Sequence, residues 1–353
     1  MNTYTAIGLM SGTSLDGLDI ACCTFIYQRG KWRFHISSAK TIAYTPVLKD
    51  RLRNADKLDA AGLAEIHTWF GHWMGTRADD FIRKHKLKPL IVSSHGHTVF
   101  HQPAKGFTLQ IGSGASLAAA CGIKTVCDFR SGDVALGGQG APLVPIGDEL
   151  LFSEYGYCLN LGGFANISFR DQNERVAFDI CPVNIVLNHL TLKLGKAFDK
   201  GGALARKGTL ILPLLEALNE ARFYQKKGPK SLGKEWVWKE VIPLLEKQKA
   251  SVPDLLHTYC EHIAYQIGIQ ILPGKNDMLV TGGGAYNDFL MERIRDYAPC
   301  EIRIPDNLTV QFREALVFAF LGVLRLRGEH NCLSSVTGAR CDSSGGCIYD
   351  PLL

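Results

Sequence analysis

The chain has 353 residues, of which 46% are hydrophobic and 21% are charged, and its formal net charge at pH 7 is +5. This length predicts about two domains with sizeable apolar cores. A positive charge this small, without clusters of basic residues, does not indicate binding to nucleic acid or to a membrane surface. No apolar run reaches the roughly 18 residues that suggest a membrane span, and the N-terminus lacks a secretion-signal pattern. We therefore expect a soluble, cytoplasmic protein.

The first part of the chain predicts three strands and then alternating helices and strands. Apolar runs at 4–9 and 20–25 flank a polar turn, and a third strand is predicted at 32–41. Helices are predicted at 46–55, 60–84 and 113–121, and further strands at 90–94 and 123–127.

The second part predicts the same order of elements. Strands at 157–161, 167–170 and 175–178 precede helices at 184–194, 209–221 and 254–271, a strand at 278–280 and a helix after Tyr286. This duplication of order, without clear repetition of residues, predicts an α/β protein with two similar lobes around a shared cleft. The boundary is predicted near Pro145, giving an N-terminal lobe at 1–145 and a C-terminal lobe at 146–353.

The polar turn at residues 8–19 contains glycine, hydroxyl and carboxylate residues between two strands. Gly8, Gly12 and Gly17 permit positive φ and close backbone approach, so the turn suits phosphate binding. Asp16 and Asp19 repel phosphate and make sense as magnesium ligands through water, or as groups that orient a hydroxyl. The alternative is a tight hairpin whose glycines serve turn geometry alone.

The histidine-rich stretch 94–101 follows a predicted strand, and a glycine-rich loop occupies 137–142. A zinc site at His95 and His97 lacks neighbouring cysteine or carboxylate ligands, so hydrogen bonding to a ligand at a polar cleft is favoured over metal binding for both histidines. The loop is either a flexible connection or part of a ligand pocket, and Gln139, with glycines on both sides, favours the pocket because it supplies an amide at a fixed position.

Asp128, Asp133 and Asp179 are candidates for a general base. Asp179 ends a predicted strand just before a helix, where a carboxylate either supports the helix N-terminus or is held rigidly for proton abstraction. Glu314, near the start of an apolar helix, leaves the same choice between a capping role and a role in the cleft.

Two further glycine turns follow strands of the second half. One contains Gly162, Gly163 and Asn166; the other contains Gly282, Gly283 and Gly284 and opens a helix. The second has neither dinucleotide nor P-loop spacing, but it permits flat approach of a nucleoside.

Blocks along nearly the whole chain resemble the anhydro-N-acetylmuramic acid kinase family, within the sugar kinase, Hsp70 and actin superfamily. They lie at 8–19, 94–98, 109–112, 128–133, 137–145, 160–166, 229–233, 282–287, 314–315 and 335–339. The resemblance implies a two-lobed, actin-like ATPase of ribonuclease H-like fold. It also implies that the protein uses ATP and magnesium to phosphorylate the six-position oxygen of 1,6-anhydro-N-acetylmuramic acid while water opens the anhydro bridge, a step in cell-wall recycling.

The residues and the resemblance together assign three groups of site residues. Catalytic roles fall to Asp179, as base, and Glu314. Nucleotide contacts are expected from Gly12, Thr13, Ser14, Asp16, Gly17, Asp19, Gly162, Gly163, Asn166, Gly282, Gly283 and Gly284. Sugar contacts are expected from His95, His97, Arg130, Asp133, Gln139 and Asn184. No protein metal ligands are assigned, and whether the chain forms a homodimer is left open.

This chain departs from the family pattern beside Asp179, where Ile180, Cys181 and Val183 replace threonine and two glycines. The added bulk is expected to narrow the pocket, retune substrate choice or mark a weakly active relative. A kinase for another anhydro sugar, such as anhydroglucose, and a non-catalytic ATP-binding protein therefore stay open as alternatives.

Overall fold

The computed structural model describes residues 1–226, 228–272, 274 and 277–351. The chain divides into two compact units: Met1–Phe152 with Phe312–Leu353 form the first, and Ser153–Gln311 form the second. This division differs from the predicted one, which placed a single boundary after residue 145 and assigned everything beyond it to the second lobe.

The described elements follow the predicted order, with additions. The strands are β1 Asn2–Ser11, β2 Gly17–Gln28, β3 Lys31–Ala43, β4 Ile91–Gln102, β5 Phe107–Ile111, β6 Thr125–Cys127, β7 Tyr157–Leu161, β8 Phe164–Asp171, β9 Glu174–Pro182, β10 Met278–Thr281, β11 Ile302–Arg303 and β12 Cys347–Tyr349. The α-helices are α1 Pro46–Arg53, α2 Ala60–His85, α3 Gly114–Cys121, α4 Ser131–Ala135, α5 Pro145–Leu151, α6 Asn184–Leu192, α7 Leu212–Asn219, α8 Arg222–Gln225, α9 Lys234–Trp236, α10 Ile242–Glu246, α11 Val252–Gly268, α12 Asp288–Tyr297, α13 Asn307–Arg327 and α14 Ser334–Thr337.

The first unit is built on a sheet with the strand order β12, β6, β4, β1, β2, β3, and β5 pairs with β4. The strands β1, β2 and β3 form an antiparallel meander, whereas β1, β4 and β6 run parallel. Reading from β3 to β6, the order is third, second, first, fourth and then a parallel strand, which is the ribonuclease H-like arrangement.

The two faces of this sheet carry different helices, because successive side chains of a strand point to opposite faces. Ile7 and Leu9 of β1 are buried in a core that includes Phe70 of α2. Gly8 faces the other side, where a Cβ atom would lie 1.8 Å from the carbonyl oxygen of Ala315 in α13. Glycine therefore lets α13 approach β1 closely, and this packing is why the C-terminal segment belongs to the first unit.

The length and composition of α13, with a mean hydropathy of 1.3, would suffice for a membrane span. However, 78% of that apolar window is buried inside the protein. The ring of Phe320 packs on Phe25 and Trp32 at centroid distances of 5.1 and 5.0 Å. These contacts are those of a core helix in a globular unit.

The second unit repeats the arrangement with the sheet order β11, β10, β7, β8, β9. Its strands β7, β8 and β9 form an antiparallel meander, and β7, β10 and β11 run parallel. Residues of α6, α11 and α12 cover the sheet in one apolar core. The predicted α/β, ribonuclease H-like fold class and its duplication are thus confirmed.

Candidate functional site

The first hairpin turn joins β1 to β2 through residues 12–16. Thr13, Ser14 and Asp16 are exposed, and the N–H of Leu15 donates to the carbonyl oxygen of Gly12 at 3.2 Å. Leu15 adopts a left-handed conformation, with φ of 60°, and buries its side chain. The leucine therefore anchors the turn and leaves the polar residues around it available to a ligand.

Two of the three glycines in this motif have a packing role. Gly8 and Gly17 lie within strands, and neither they nor Gly12 has a positive φ. A Cβ atom at Gly17 would lie 2.5 Å from the carbonyl oxygen of Ile42, whereas one at Gly12 would meet Ser14 Oγ at 3.5 Å. The prediction that these glycines supply left-handed backbone is therefore wrong. Of the three, Gly12 leaves room for close approach by a ligand.

Asp19 lies in β2, where its Oδ1 accepts a hydrogen bond of 2.5 Å from the Thr41 hydroxyl. Burial raises the pKa of this carboxyl, the Thr41 hydroxyl lowers it, and the neighbouring charge of Asp16 raises it. The described residues contain no group of three or more histidine, cysteine or acidic side chains that could hold a metal. The two aspartates fit magnesium, because this ion keeps several waters and needs only one or two carboxylates beside nucleotide phosphates.

His95 and Arg130 form a hydrogen-bonded pair. Nε2 of the buried His95 accepts from Nε and Nη2 of Arg130 at 3.1 and 2.9 Å, and its Nδ1 lies 3.0 Å from the carbonyl oxygen of Gly96. Because the arginine can only donate, Nε2 is the unprotonated nitrogen and Nδ1 carries the hydrogen. Burial, then the charge of Arg130, holds the pKa of His95 well below its usual range. The predicted sugar contact of His95 is thus corrected, since both ring nitrogens are used within the protein.

Arg130 keeps its predicted potential for binding substrate. Its Nη1 donates to the carbonyl oxygen of Gly140 at 2.6 Å. Burial lowers its pKa to about 10, against the opposing effect of Glu314, so the guanidinium is charged at neutral pH. The bonds to His95 and Gly140 use three of its N–H groups. A guanidinium has five, so part of its donor capacity is left for a ligand.

Glu314 is exposed in α13, which begins two turns earlier at Asn307. However, the backbone of Phe312 is non-helical, with φ of −112° and ψ of 19°, so Glu314 lies in the first turn of the helical segment that follows this kink. The structure is therefore consistent both with support of that helix N-terminus and with a role in the cleft. Desolvation by the surrounding protein raises the pKa of Glu314, Arg130 and Arg313 lower it, and Asp19 raises it. These charge interactions group Glu314 with the predicted phosphate and substrate residues of the first unit.

His97 is buried beside the end of β1. Its Nδ1 lies 3.0 Å from Ser11 Oγ, which also accepts a hydrogen bond of 2.7 Å from the Tyr44 hydroxyl. Burial lowers the pKa of His97, so the ring is neutral at pH 7. The three side chains fix the last residue of β1, immediately before the hairpin turn. The sugar contact of His97 stays a prediction.

Asp133 is fully buried in α4 and holds two loops together. Its Oδ2 accepts from the N–H of Gly140 at 2.7 Å, and its Oδ1 accepts from the Thr337 hydroxyl at 2.7 Å and the Cys332 thiol at 3.1 Å. A carboxylate without accessible surface cannot contact a sugar, so the predicted substrate contact is corrected to a structural role. The loop that it fixes exposes Gln139, whose N–H donates to the carbonyl oxygen of Thr337 at 2.8 Å.

Asp179 lies in β9 of the second unit, opposite Asn166 of β8. The Asn166 amide donates to its Oδ1, and the N–H of Leu232 donates to its Oδ2 at 2.8 Å. Burial raises the pKa of Asp179, and these two donors lower it. The side chain is only partly buried, whereas Asp128 is exposed and accepts from the Ser131 hydroxyl at 2.5 Å.

The second hairpin turn supports the start of α6. The carbonyl oxygens of Gly163 and Gly162 accept from the N–H groups of Val183 and Asn184 at 2.8 and 3.2 Å. The helix N-terminus therefore does not depend on Asp179, which removes the helix-support alternative for that residue. The side-chain amide of Asn184 donates to the carbonyl oxygen of Leu161 at 3.1 Å. Asn184 thus lies beside the predicted nucleotide glycines of its own unit.

The third glycine turn packs against β7. Gly282 has φ of 83°, and a Cβ atom there would lie 2.7 Å from Asn160 Oδ1. A Cβ atom at Gly284 would lie 2.6 Å from Leu161 Cβ, whereas the nearest atom to one at Gly283 is an Asn184 nitrogen at 3.7 Å. Gly283 is exposed. It is therefore the glycine that offers open backbone to a nucleoside.

Comparison with known proteins identifies the family. The model for anhydro-N-acetylmuramic acid kinases matches residues 4–351. The chain belongs to this family. It is 36% identical to the anhydro-N-acetylmuramic acid kinase of Pseudomonas putida, over 97% of this chain and 98% of that protein. It is 35% identical to the enzyme of that name from Pasteurella multocida, over 98% and 97%. Plasmodium falciparum glycerol kinase with ADP shares 9% identity and a TM-score of 0.46, over 91% and 90%, which is too little to bear on function.

The residues that depart from the pattern of anhydro-N-acetylmuramic acid kinases lie in the core. Ile180, Cys181 and Val183 are almost completely buried among the apolar residues of the second unit. Their extra volume is therefore accommodated beneath the sheet and not in accessible space beside Asp179. The expected narrowing of the pocket is corrected accordingly.

Sequence reasoning missed one group at the site, the backbone N–H of Leu232. The sequence did contain a signal for this segment, because residues 229–233 match the family pattern and had no assigned role. A backbone donor leaves no mark of its own in the sequence, so the pairing of this N–H with Asp179 could be found only from the fold.

Proposed function

We propose that the chain phosphorylates the six-position oxygen of 1,6-anhydro-N-acetylmuramic acid with ATP while water opens the anhydro bridge, as a step in peptidoglycan recycling. Membership of the family supports the substrate. The observation that carries the chemistry is the partly accessible carboxylate of Asp179, which has an N–H donor at each oxygen. A general base must be oriented in this way and must also be reachable by its proton donor.

In the proposed reaction Asp179 takes a proton from water as the water oxygen bonds to the anomeric carbon. The bond between that carbon and the six-position oxygen breaks, and the released oxygen attacks the γ-phosphorus of ATP. ADP leaves with the electron pair of the broken phosphoanhydride bond, and the product is N-acetylmuramic acid 6-phosphate. The reaction needs only one base, Asp179, because the six-position oxygen is released without a proton and needs no second base to activate it.

Nucleotide contacts are assigned to three turns. The exposed hydroxyls of Thr13 and Ser14 and the open backbone of Gly12 and Gly283 suit phosphate and nucleoside. Asp19, with Asp16, would hold magnesium through water; when bound, this ion neutralises phosphate charge as it develops. The glycines at 162–163 support α6 by their carbonyl groups and contribute to the nucleotide site through that packing.

Binding of the sugar is assigned to Arg130, Gln139 and Glu314. A charged guanidinium with remaining donor capacity suits the lactyl carboxylate that distinguishes this sugar from anhydroglucose. Gln139 presents an exposed amide from a fixed loop, and Glu314 suits a sugar hydroxyl. Use of ATP and eleven free thiols fit a cytoplasmic enzyme.

The test is to mix the protein with ATP, magnesium and each anhydro sugar in water labelled with oxygen-18, and to identify products by mass spectrometry. We expect the muramic product to carry the label at its anomeric carbon. Faster turnover of anhydroglucose would instead favour the second sugar. Saturable ATP binding without transfer to any sugar would indicate a non-catalytic ATP-binding protein, and an unlabelled phosphorylated product would refute the coupled ring opening.

A further inference from the structure

The segment 229–233 contacts β9 at Asp179. The N–H of Asp179 donates to the carbonyl oxygen of Lys230 at 2.9 Å, and the N–H of Leu232 donates to Asp179 Oδ2 at 2.8 Å. The segment therefore holds both the backbone and the side chain of this aspartate.

Lys230 attaches the segment to the helix α8 and the residue after it. Its Nζ donates to the carbonyl oxygens of Phe223 and Lys226 at 3.3 and 3.1 Å, and it lies 4.6 Å from the centroid of the Phe223 ring. Three interactions on one ammonium restrict its motion. The N–H of Leu232 is consequently presented to Asp179 from an anchored backbone and not from a free loop.

Asn166 supplies the donor to the other oxygen. It faces Asp179 across the antiparallel pair β8 and β9, so the strand register itself places its amide against Oδ1. One donor at each oxygen fixes the plane of the carboxylate and stabilises its ionised form. This stabilisation opposes the desolvation of Asp179, which alone would favour the protonated form and remove the base.

We propose that Asn166 and the N–H of Leu232 are positioning groups that orient the Asp179 carboxylate, and that Asn166 acts on the base and not on the nucleotide. The inference rests on the proposed function, in which Asp179 is the base. It revises the nucleotide contact that the sequence had predicted for Asn166.

The variant Asn166→Ala tests the proposal. We expect kcat to fall by about 10- to 100-fold, as for a misplaced catalytic group, with the KM and binding affinity for ATP unchanged. Loss of a donor to the charged form raises the pKa of Asp179, so the acid limb of the kcat–pH profile should move to higher pH. Asn54→Ala is the matched control, because Asn54 donates its amide to Asp50 Oδ1 at 3.1 Å in the other unit. It should leave rate and profile unchanged.

A titration followed by carbon-13 NMR of the aspartate carboxyl groups gives a readout that needs no turnover, with Asp179→Asn used to assign the signal. Asp179 should titrate at higher pH in Asn166→Ala than in the parent protein. Weakened ATP binding together with an unshifted titration would overturn the proposal and restore the nucleotide contact. If the parent protein phosphorylated no anhydro sugar, the proposed function would fail, and the NMR titration would still decide whether Asn166 controls Asp179.

Discussion

Replacing Gly8 with alanine tests the packing role of the glycines in the polar turn at residues 8–19 separately from their role in phosphate binding. The new Cβ atom would lie 1.8 Å from the carbonyl oxygen of Ala315, 2.8 Å from its carbonyl carbon and 3.1 Å from Ala319 Cβ. The nearest two of these atoms are backbone, so no side-chain rotation relieves the overlap. Either β1 or α13 must move.

Inserting atoms into a packed core costs about 1–3 kcal/mol and occasionally more. A collision of backbone with backbone belongs at or above the upper end of that range. With a sensitivity of about 2–4 °C per kcal/mol for units of this size, we expect the melting transition of the first unit to fall by about 6–12 °C. Differential scanning calorimetry measures the shift, and an ATP titration well below the transition measures binding to the folded protein.

Gly12→Ala is the control, because its new Cβ atom would meet only Ser14 Oγ, at an ordinary 3.5 Å. It should melt with the parent protein and bind ATP more weakly. The packing argument is refuted if Gly8→Ala melts at the parent temperature. The phosphate assignment is refuted if Gly12→Ala binds ATP normally.

Three further predictions concern the base, a buried carboxylate and pH. Asp179→Asn should lower kcat by about 10²–10⁴-fold, as for a lost general base, with ATP binding retained in a titration; unchanged turnover would contradict the assignment. Asp133→Asn places an amide where the N–H of Gly140 needs an acceptor, so thermal melts should show lower stability and kinetics a higher KM for the sugar; a parent-like melt would contradict this. Burial lowers the pKa of His262 from 6.5 to about 3, so between these values the unfolded chain binds a proton that the folded protein does not. This proton uptake does not affect the free energy of unfolding above pH 6.5. Below that value it lowers the free energy of unfolding by up to about 1.4 kcal/mol for each unit by which the pH falls. Urea denaturation at several pH values should show a smaller decline for His262→Gln, and equal declines would refute the argument.

The sequence was sufficient where one local pattern determines the structure. Alternating and helical apolar spacing found the strands of both meanders and α2, and polar residues between apolar runs found both hairpin turns. Spacing along the chain contains no information on contacts between distant segments. The approach of Ala315 to Gly8 and the hydrogen bond of Thr337 to Asp133 join residues about 200 or more positions apart. For this reason the chain division, the burial of Asp133 and the use of His95 by Arg130 emerged only from the structure.

The return of α13 to the first sheet bears on the order in which the protein folds during synthesis. The second unit is one continuous segment, Ser153–Gln311, whereas the first needs the residues from Phe312 onward. At about 5–20 residues per second, the ribosome completes the second unit about 1–3 s before it completes α13, the helix that covers β1. Until then the apolar face around Ala6, Ala21 and Phe25 lacks its covering helix in the nascent chain. A growing polypeptide of this kind is therefore expected to engage chaperones through its N-terminal strands until translation ends.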